Sequence, residues 1–277
     1  MTTTFPHFCS VHVYLPRVSG LVNSSEIFLT LGCPMVLPPN MPIRLHHQGS
    51  SLERSRVLFV ETPDLLPAQV STLGLPLHRP VLVLVGGAGN LEDEGALEGL
   101  FTALAQVAEN VGAIVVDGGT DAGVMRLMGR ARAATRGAFP LVGVAPRGRV
   151  RLPHEPAAAD DHRVLVEPHH THLILVPGDA WGDESPYLAQ VATLLAGDAP
   201  SVTVLVNGGE VARQDVAHSL AEGRPVVVIA GTGRLADEMA TAADHPAGVH
   251  VVGLDEAADV VRSYLTGKHT AQGLVER

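Results

Sequence analysis

The sequence has few cysteines and no long hydrophobic run. Its two cysteines, Cys9 and Cys33, form no CxxC motif, so we expect neither a zinc ribbon nor a redox pair. No apolar run reaches the length of about 18 residues that a membrane span needs. The N-terminus also lacks the basic start and apolar core of a signal peptide. These absences predict a cytoplasmic protein without a membrane segment.

Positive charge is scarce as well. Lysine and arginine number 19 and aspartate and glutamate 29, which gives a net charge of −10. This balance disfavours a nucleic-acid partner, although backbone dipoles let an acidic protein bind a small anion. With 46% hydrophobic residues in 277, the chain can bury a sizeable core.

Proline divides the chain. Ten of the 20 prolines lie in the first 80 residues, around short strand-like runs at Val11–Leu15, Ile27–Leu31 and Val57–Glu61. We predict an irregular, Pro-rich N-terminal extension over residues 1–79 and a ligand-binding domain over residues 80–277.

Short apolar runs recur after residue 80 and alternate with segments of helical spacing. Runs of this kind are typical of strands buried on both faces of a parallel sheet. The runs are Val81–Val85, Ala113–Val116, Leu141–Ala145, His172–Val176, Val202–Val206, Pro225–Ala230 and Val249–Leu254. The alternation predicts an α/β fold: a Rossmann-like, doubly wound, mainly parallel sheet with helices on both faces.

Glycine-rich segments follow these runs, at the edge of the sheet where ligands of such folds bind. Bare backbone there lets successive amides approach an anion, so a nucleotide or phosphate-bearing ligand is expected. The segment "GTGRLA" at 231–236 also matches the dinucleotide fingerprint GxGxxA, with Asp255 placed to bind ribose. This match keeps an NAD(P)-dependent oxidoreductase as an alternative, for which no catalytic residue can be named.

The segment "HHTHL" at 169–173 suggests a metal site only weakly. Alternation along a strand would place His170 and His172 on one face, and no third ligand is evident, so no metal is predicted. The alternative for His172 is a buried, hydrogen-bonded imidazole at the start of a strand.

Taken in order, the motifs resemble the LSDAT branch of the SLOG superfamily, whose eukaryotic members form the cytosolic N-terminal region of TRPM cation channels. The segments that carry this resemblance are Gly86–Asn90, Gly118–Met125 ("GGTDAGVM"), Gly143–Gly148 ("GVAPRG"), His169–Val176, Gly178–Glu184, Gly208–Gly209 and Gly231–Asp237.

The resemblance implies a sensor of ADP-ribose, cyclic ADP-ribose or a related dinucleotide. It places Arg234 on phosphate. The tyrosine that the channel members use has no direct counterpart here, and Trp181 or Tyr187 is expected to substitute for it in stacking. The ligand-binding residues expected on this basis are Gly86, Gly87, Asn90, Gly118, Gly119, Thr120, Gly123, Val124, Pro146, Arg147, Gly178, Asp179, Trp181, Gly208, Gly209, Glu210, Gly231, Thr232, Gly233 and Arg234.

An enzyme of the LOG phosphoribohydrolase type, which would be a nucleotide N-glycosidase, remains an alternative. That branch carries PGGxGTxxE, and the corresponding run here, Asn207–Asp215, departs from it at the proline, the third glycine, the threonine and the glutamate. Glu210, Asp215 and Asp117 are its candidate acids or bases. Asp117 and Asp121 either point away from the predicted phosphate, cap the helix or hold ribose hydroxyls. Homo-oligomerisation stays open.

Overall fold

The computed structural model describes residues 11–13, 28–29, 43–45, 55–89, 94–153, 155–157 and 160–269. The strands within them are β1 (Val11–Val13), β2 (Phe28–Leu29), β3 (Ile43–Leu45), β4 (Arg56–Phe59), β5 (Val81–Gly86), β6 (Ile114–Asp117), β7 (Leu141–Pro146), β8 (Val150–Arg151), β9 (Val164–Leu165), β10 (His172–Val176), β11 (Ser201–Val206), β12 (Val226–Ile229) and β13 (Val249–Val252). The helices are α1 (Leu66–Val70), α2 (Glu94–Val111), α3 (Gly123–Ala134), α4 (Ser185–Ala196), α5 (Glu210–Ala221), α6 (Arg234–Ala240) and α7 (Leu254–Leu265).

One large sheet organises the described part of the chain, in the order β13-β12-β11-β5-β6-β7-β10-β4-β3-β1-β2. The strands from β13 to β4 run parallel, and β3, β1 and β2 continue the sheet antiparallel. Strands β8 and β9 form a separate short pair. The predicted doubly wound, mainly parallel sheet is confirmed.

The order of the strands reverses between β5 and β11. From β5 the chain moves through β6 and β7 to β10, then returns through α4 to β11 on the other side of β5 and continues to β13. In folds of this kind, ligands bind in the crevice beyond the carboxyl ends of the two strands that flank the reversal.

Two apolar cores hold helices against opposite faces of the sheet. Helices α1, α4, α5 and α6 pack on one face through residues such as Leu66, Leu188 and Val216. Helices α2, α3 and α7 pack on the other through residues such as Phe101, Met128 and Val261. Because both faces are covered, the central strands consist almost wholly of buried aliphatic residues.

Strand β4 lies before the domain boundary that we predicted at residue 80. It pairs with β10, and Leu58 and Val60 belong to the same core as the central strands. Within residues 55–79, β4 thus extends the sheet and α1 packs against it, whereas most of residues 1–54 lie outside the described ranges. Among the helices within those ranges, none combines the length and apolar character that a bilayer crossing requires.

Candidate functional site

The crevice at the strand reversal is lined by the segments that follow β5 and β11. The amide of Gly87 donates to the carbonyl oxygen of Val206 at 3.2 Å, and the carbonyl of Gly87 accepts from the amide of Val124, in the first turn of α3, at 3.1 Å. The predicted residues Gly86, Gly87, Gly123 and Val124 therefore meet at one place. Asn90 lies outside the described residues.

The loops after β11 and β12 are locked together by Asn207 and Thr232, both buried. The Asn207 amide donates to Thr232 Oγ1 at 2.8 Å, and Asn207 Nδ2 donates to the Thr232 carbonyl at 2.7 Å. The Thr232 hydroxyl donates to the carbonyl of Ile229 at 2.7 Å. Thr232, predicted to bind ligand, uses its hydroxyl within the protein.

Four amides of the "GTGRLAD" segment, those of Gly231, Gly233, Leu235 and Ala236, are also occupied within the protein. The Asp237 carboxylate accepts from the amides of Gly231 and Gly233, at 2.6 and 3.1 Å. The first-turn amides of α6 donate to the carbonyls of Gly208 and Asn207. These four amides are not available to a pyrophosphate, and Asp255 lies in the first turn of α7, not at the end of a strand. No observation therefore favours the oxidoreductase.

The first-turn amides of α5, unlike those of Leu235 and Ala236 in α6, lack a hydrogen-bond acceptor in the described part of the chain. The N-terminus of α5 has no side-chain cap, and the amides of Glu210, Val211 and Ala212 have no acceptor within the residues that the structure describes. The exposed Arg234 guanidinium lies over Gly209, where a β-carbon would be 2.5 Å from Nη2 and 3.2 Å from Cζ. Unpaired amides and a guanidinium thus converge on one point, which is a favourable arrangement for an anion.

A second group of predicted residues lies at the carboxyl ends of β7 and β10. Arg147 extends from the end of β7 over the ring of Phe59. The guanidinium of Arg149 lies 5.3 Å from the centroid of Trp181, a half-exposed ring in the loop after β10. Nε of Arg149 is buried without a hydrogen-bond partner in the described residues. This edge combines an aromatic face with two cations, and Arg149 was not predicted.

Two buried carboxyl groups face each other where α4 begins beside α5. Asp215 and Glu184 are 7% and 6% exposed, and the neighbouring Ser185 is fully buried. Burial raises the pKa of Asp215 to about 7; the Ser185 hydroxyl opposes this rise and the charge of Glu184 adds to it. Burial also raises the pKa of Glu184. Ser185 Oγ lies beside Asp215, but neither it nor Asp215 Oδ1 forms a hydrogen bond of ordinary geometry within the described chain.

The other candidate acids have different surroundings. Glu210 is largely exposed and lies 3.5 Å from Arg213. Asp117 is fully buried, and its Oδ1 accepts the amide of Gly119 at 2.7 Å. Asp121 forms an ion pair with Arg126 at 2.8 Å. The carboxylates of Asp117 and Asp121 thus have partners within the protein, and neither caps α3.

The two histidines of "HHTHL" have different partners. His170 is buried between two carboxylates, whereas His172 begins β10 and its Nδ1 is 2.8 Å from Thr171 Oγ1. Burial, helped by the charge of Arg56, lowers the pKa of His172 to about 4, so His172 is neutral at physiological pH. Within the described residues, no three His, Cys, Asp or Glu side chains form a group that could hold a metal ion.

The sequence resembles part of much larger proteins. It is 25% identical over 223 residues to transient receptor potential cation channel subfamily M member 2 of Mus musculus, and 24% identical over 226 residues to that of Rattus norvegicus. These matches cover 67% and 68% of this chain but 15% of each relative's length.

Similar solved structures include two described as molybdenum cofactor proteins. One is the cofactor-binding protein of Rippkaea orientalis, with 14% identity and a TM-score of 0.47 over 67% of this chain and 96% of that one. Another is the cofactor carrier protein of Chlamydomonas reinhardtii, with 21% identity and a TM-score of 0.46 over 68% of this chain and 99% of that one.

The family described as "SLOG in TRPM, prokaryote" matches residues 79–268, which include β5 to β13 and every loop of the crevice. The chain therefore belongs to this family.

Proposed function

We propose that this protein binds a nucleotide-derived ligand, such as ADP-ribose, cyclic ADP-ribose or a related dinucleotide, in the crevice at the carboxyl ends of β5 and β11. The observation that carries the proposal is the arrangement of Arg234 over Gly209 at the uncapped N-terminus of α5. Helix amides and a guanidinium together are suited to a phosphate. Family membership supports the same ligand class.

The half-exposed Trp181 ring supports a ligand that carries a base or a second sugar. One of its faces is covered by Arg149, so a planar group would stack on the other face or insert between them. Trp181 follows β10, several strands from the loop after β11. We expect the phosphate at Arg234 and the distal part of an extended ligand near Trp181.

The test is the melting temperature of the protein with ADP-ribose, cyclic ADP-ribose, NAD, AMP and ribose 5-phosphate, followed by calorimetric titration. A ligand that binds the folded state raises the melting temperature by mass action. Arg234→Ala should remove most of this rise. Arg213→Ala is the matched control, because Arg213 is a neighbouring exposed arginine that is paired with Glu238 at 2.8 Å. No rise with any ligand at millimolar concentration would refute the proposal.

One observation favours a second candidate, hydrolysis of an N-glycosidic bond. Asp215 occupies the position of the LOG glutamate, and a carboxyl group whose pKa is about 7 can donate a proton to a leaving base near neutral pH. Asp215→Asn should then abolish release of base and ribose 5-phosphate from a nucleoside monophosphate. Recovery of the nucleotide intact after prolonged incubation with the wild-type protein would exclude this candidate.

A further inference from the structure

A buried chain of three ionisable side chains lies behind the loop that follows β6. It consists of Asp117, His170 and Glu167, each at most 1% exposed. His170 Nε2 is 2.8 Å from Asp117 Oδ1, and His170 Nδ1 is 2.9 Å from Glu167 Oε2. Because ionised carboxylates only accept hydrogen bonds, an imidazole that bonds both of them carries a proton on each nitrogen.

The charges around His170 agree with this protonation. Burial by itself lowers the pKa of His170, but the charge and hydrogen bond of Asp117 and those of Glu167 outweigh it and raise the pKa to about 9. Burial by itself would raise the pKa of Glu167, because it disfavours the charged carboxylate. The hydrogen bonds and charges of His170 and His169 outweigh burial and lower the pKa of Glu167. His169 Nδ1 is 2.5 Å from Glu167 Oε1, so Glu167 has a partner at each oxygen.

Both outer members of this chain hold the same residue of the loop, Gly119. The Gly119 amide donates to Asp117 Oδ1 at 2.7 Å, and the Gly119 carbonyl accepts from the Glu167 amide at 2.9 Å. Gly119 has a φ of +66° and lies so close to Gly143 that its own β-carbon would be 2.8 Å from that residue's Cα. The loop conformation therefore needs external support: the Asp117 carboxylate, itself bonded to His170, holds the Gly119 amide, and the Glu167 backbone holds the Gly119 carbonyl.

We propose that His170 is a positioning residue for the Gly118–Thr120 loop, which follows β6 next to β5: bonded to Asp117 and Glu167 together, it fixes the conformation of this loop. His170 is buried behind the loop and does not itself reach the ligand. The consequence for ligand affinity rests on the function proposed above, whereas the consequence for the loop does not.

The loop is tested first, without ligand. In the wild-type protein near neutral pH, nitrogen-detected NMR should show both ring nitrogens of His170 protonated. In His170→Gln, the Gly119 amide should exchange with solvent about tenfold faster or more, since its acceptor is no longer held. The matched control is His172→Gln, which changes a neutral histidine two residues away that has no bond to Asp117. It should leave the exchange rate of Gly119 unchanged.

The ligand is tested second, by calorimetric titration of ADP-ribose. We expect His170→Gln to weaken its binding about tenfold or more and His172→Gln to leave it within about twofold. If the wild-type protein binds neither ADP-ribose nor its relatives, the proposed function fails, and the exchange of Gly119 still decides the role of His170.

Three results would overturn the proposal: a neutral His170 in the wild-type protein, an unchanged Gly119 exchange rate in His170→Gln, or unchanged affinity in a variant whose loop has become mobile. If His170→Gln does not fold, Glu167→Gln is the milder variant, because it keeps the bond between His170 and Asp117. It should bring deprotonation of His170 to a lower pH and, because His170 is then held by one carboxylate instead of two, accelerate Gly119 exchange; if both quantities stayed unchanged, the proposal would equally be refuted.

Discussion

The guanidinium of Arg234 occupies the space that a β-carbon on Gly209 would take. This contact joins the first residue of α6 to the N-cap of α5, and it holds a cation at a helix end where amide donors have no partner. Arg234 adopts a φ of +49°, an unfavourable conformation for a residue other than glycine. The backbone strain and the missing side chain both serve to place one guanidinium.

The first prediction follows from that contact. Gly209→Ala should weaken ADP-ribose binding by nearly as much as Arg234→Ala, because the new β-carbon displaces the guanidinium. Residue 209 has a φ of −136°, outside the left-handed region that favours glycine, and the displaced atoms end a flexible side chain, so the stability should change little. Calorimetric titration and thermal unfolding measure the two effects. Gly99→Ala, at an exposed helical site with open space, is the control for binding. Wild-type affinity in Gly209→Ala would contradict the prediction.

The second prediction concerns Asp215 and pH. The folded protein keeps this carboxyl protonated up to about pH 7, whereas the unfolded chain releases the proton near the ordinary value of 3.8. The stability that protonated Asp215 contributes is therefore fully present below pH 3.8 and is lost as the pH rises through about 7. The asparagine of Asp215→Asn cannot ionise. Between pH 5 and pH 8, the free energy of unfolding of this variant should therefore rise by on the order of 2 kcal/mol relative to that of the wild type.

Urea unfolding at the two pH values measures this difference. Any pH-independent effect of the asparagine on the free energy of unfolding cancels, because only the change between pH 5 and pH 8 is compared. Asp244→Asn, at an exposed position, is the control and should follow the wild type at both values. A variant of Asp215 whose stability runs parallel to that of the wild type would show that Asp215 ionises normally.

The third prediction concerns Gly129 in α3. Alanine usually stabilises a helix relative to glycine, by up to about 1 kcal/mol. At residue 129, however, a β-carbon would overlap the buried carboxylate of Glu167. Gly129→Ala should therefore destabilise the protein, by about 1–3 kcal/mol. Gly99→Ala in α2 should be neutral or stabilising in the same unfolding experiment. If both variants were stabilised, the carboxylate of Glu167 would not be held against α3.

The fourth prediction separates the two ends of the ligand. Trp181→Ala should weaken binding of ADP-ribose by about 1–3 kcal/mol, the usual range for a base stacked on an aromatic ring. Ribose 5-phosphate, which has no base, should bind the variant and the wild type alike. Leu77→Ala removes an exposed apolar side chain outside the crevice and serves as the control. An equal loss for both ligands would place Trp181 near the phosphate instead.

The strands β5, β6, β7, β10, β11, β12 and β13 were predictable because each is a run of mainly aliphatic residues, and most residues of these strands are buried. The glycine-rich loops were predictable as a group for a related reason: parallel strands deliver their carboxyl ends to one edge. Strand β3 and the pair β8–β9 were not predicted, since runs of two or three residues carry too little periodicity.

The polar contacts were harder to anticipate. The bond between His170 and Asp117 joins residues 53 positions apart, and nothing in "EPHH" indicates its partner. The role of Asp237 shows the same limit. Its position in "GTGRLAD" is compatible with a surface carboxylate, whereas in the fold it takes two amides that the fingerprint would otherwise offer to a pyrophosphate. Sequence patterns predict the course of the backbone, but which acceptor a buried donor finds depends on the rotamers of side chains that are distant in the sequence.

Strand β4 has a practical consequence for anyone who expresses this domain. A fragment cut where the family match begins, at residue 79, would lose β4 and turn β10 into an edge strand. The backbone of β10 would then be open to pairing with another chain, which is a common route to aggregation. The same cut would remove Ser55, whose hydroxyl donates to the carbonyl of His170 at 2.5 Å. Fragments for binding assays should begin upstream of Ser55.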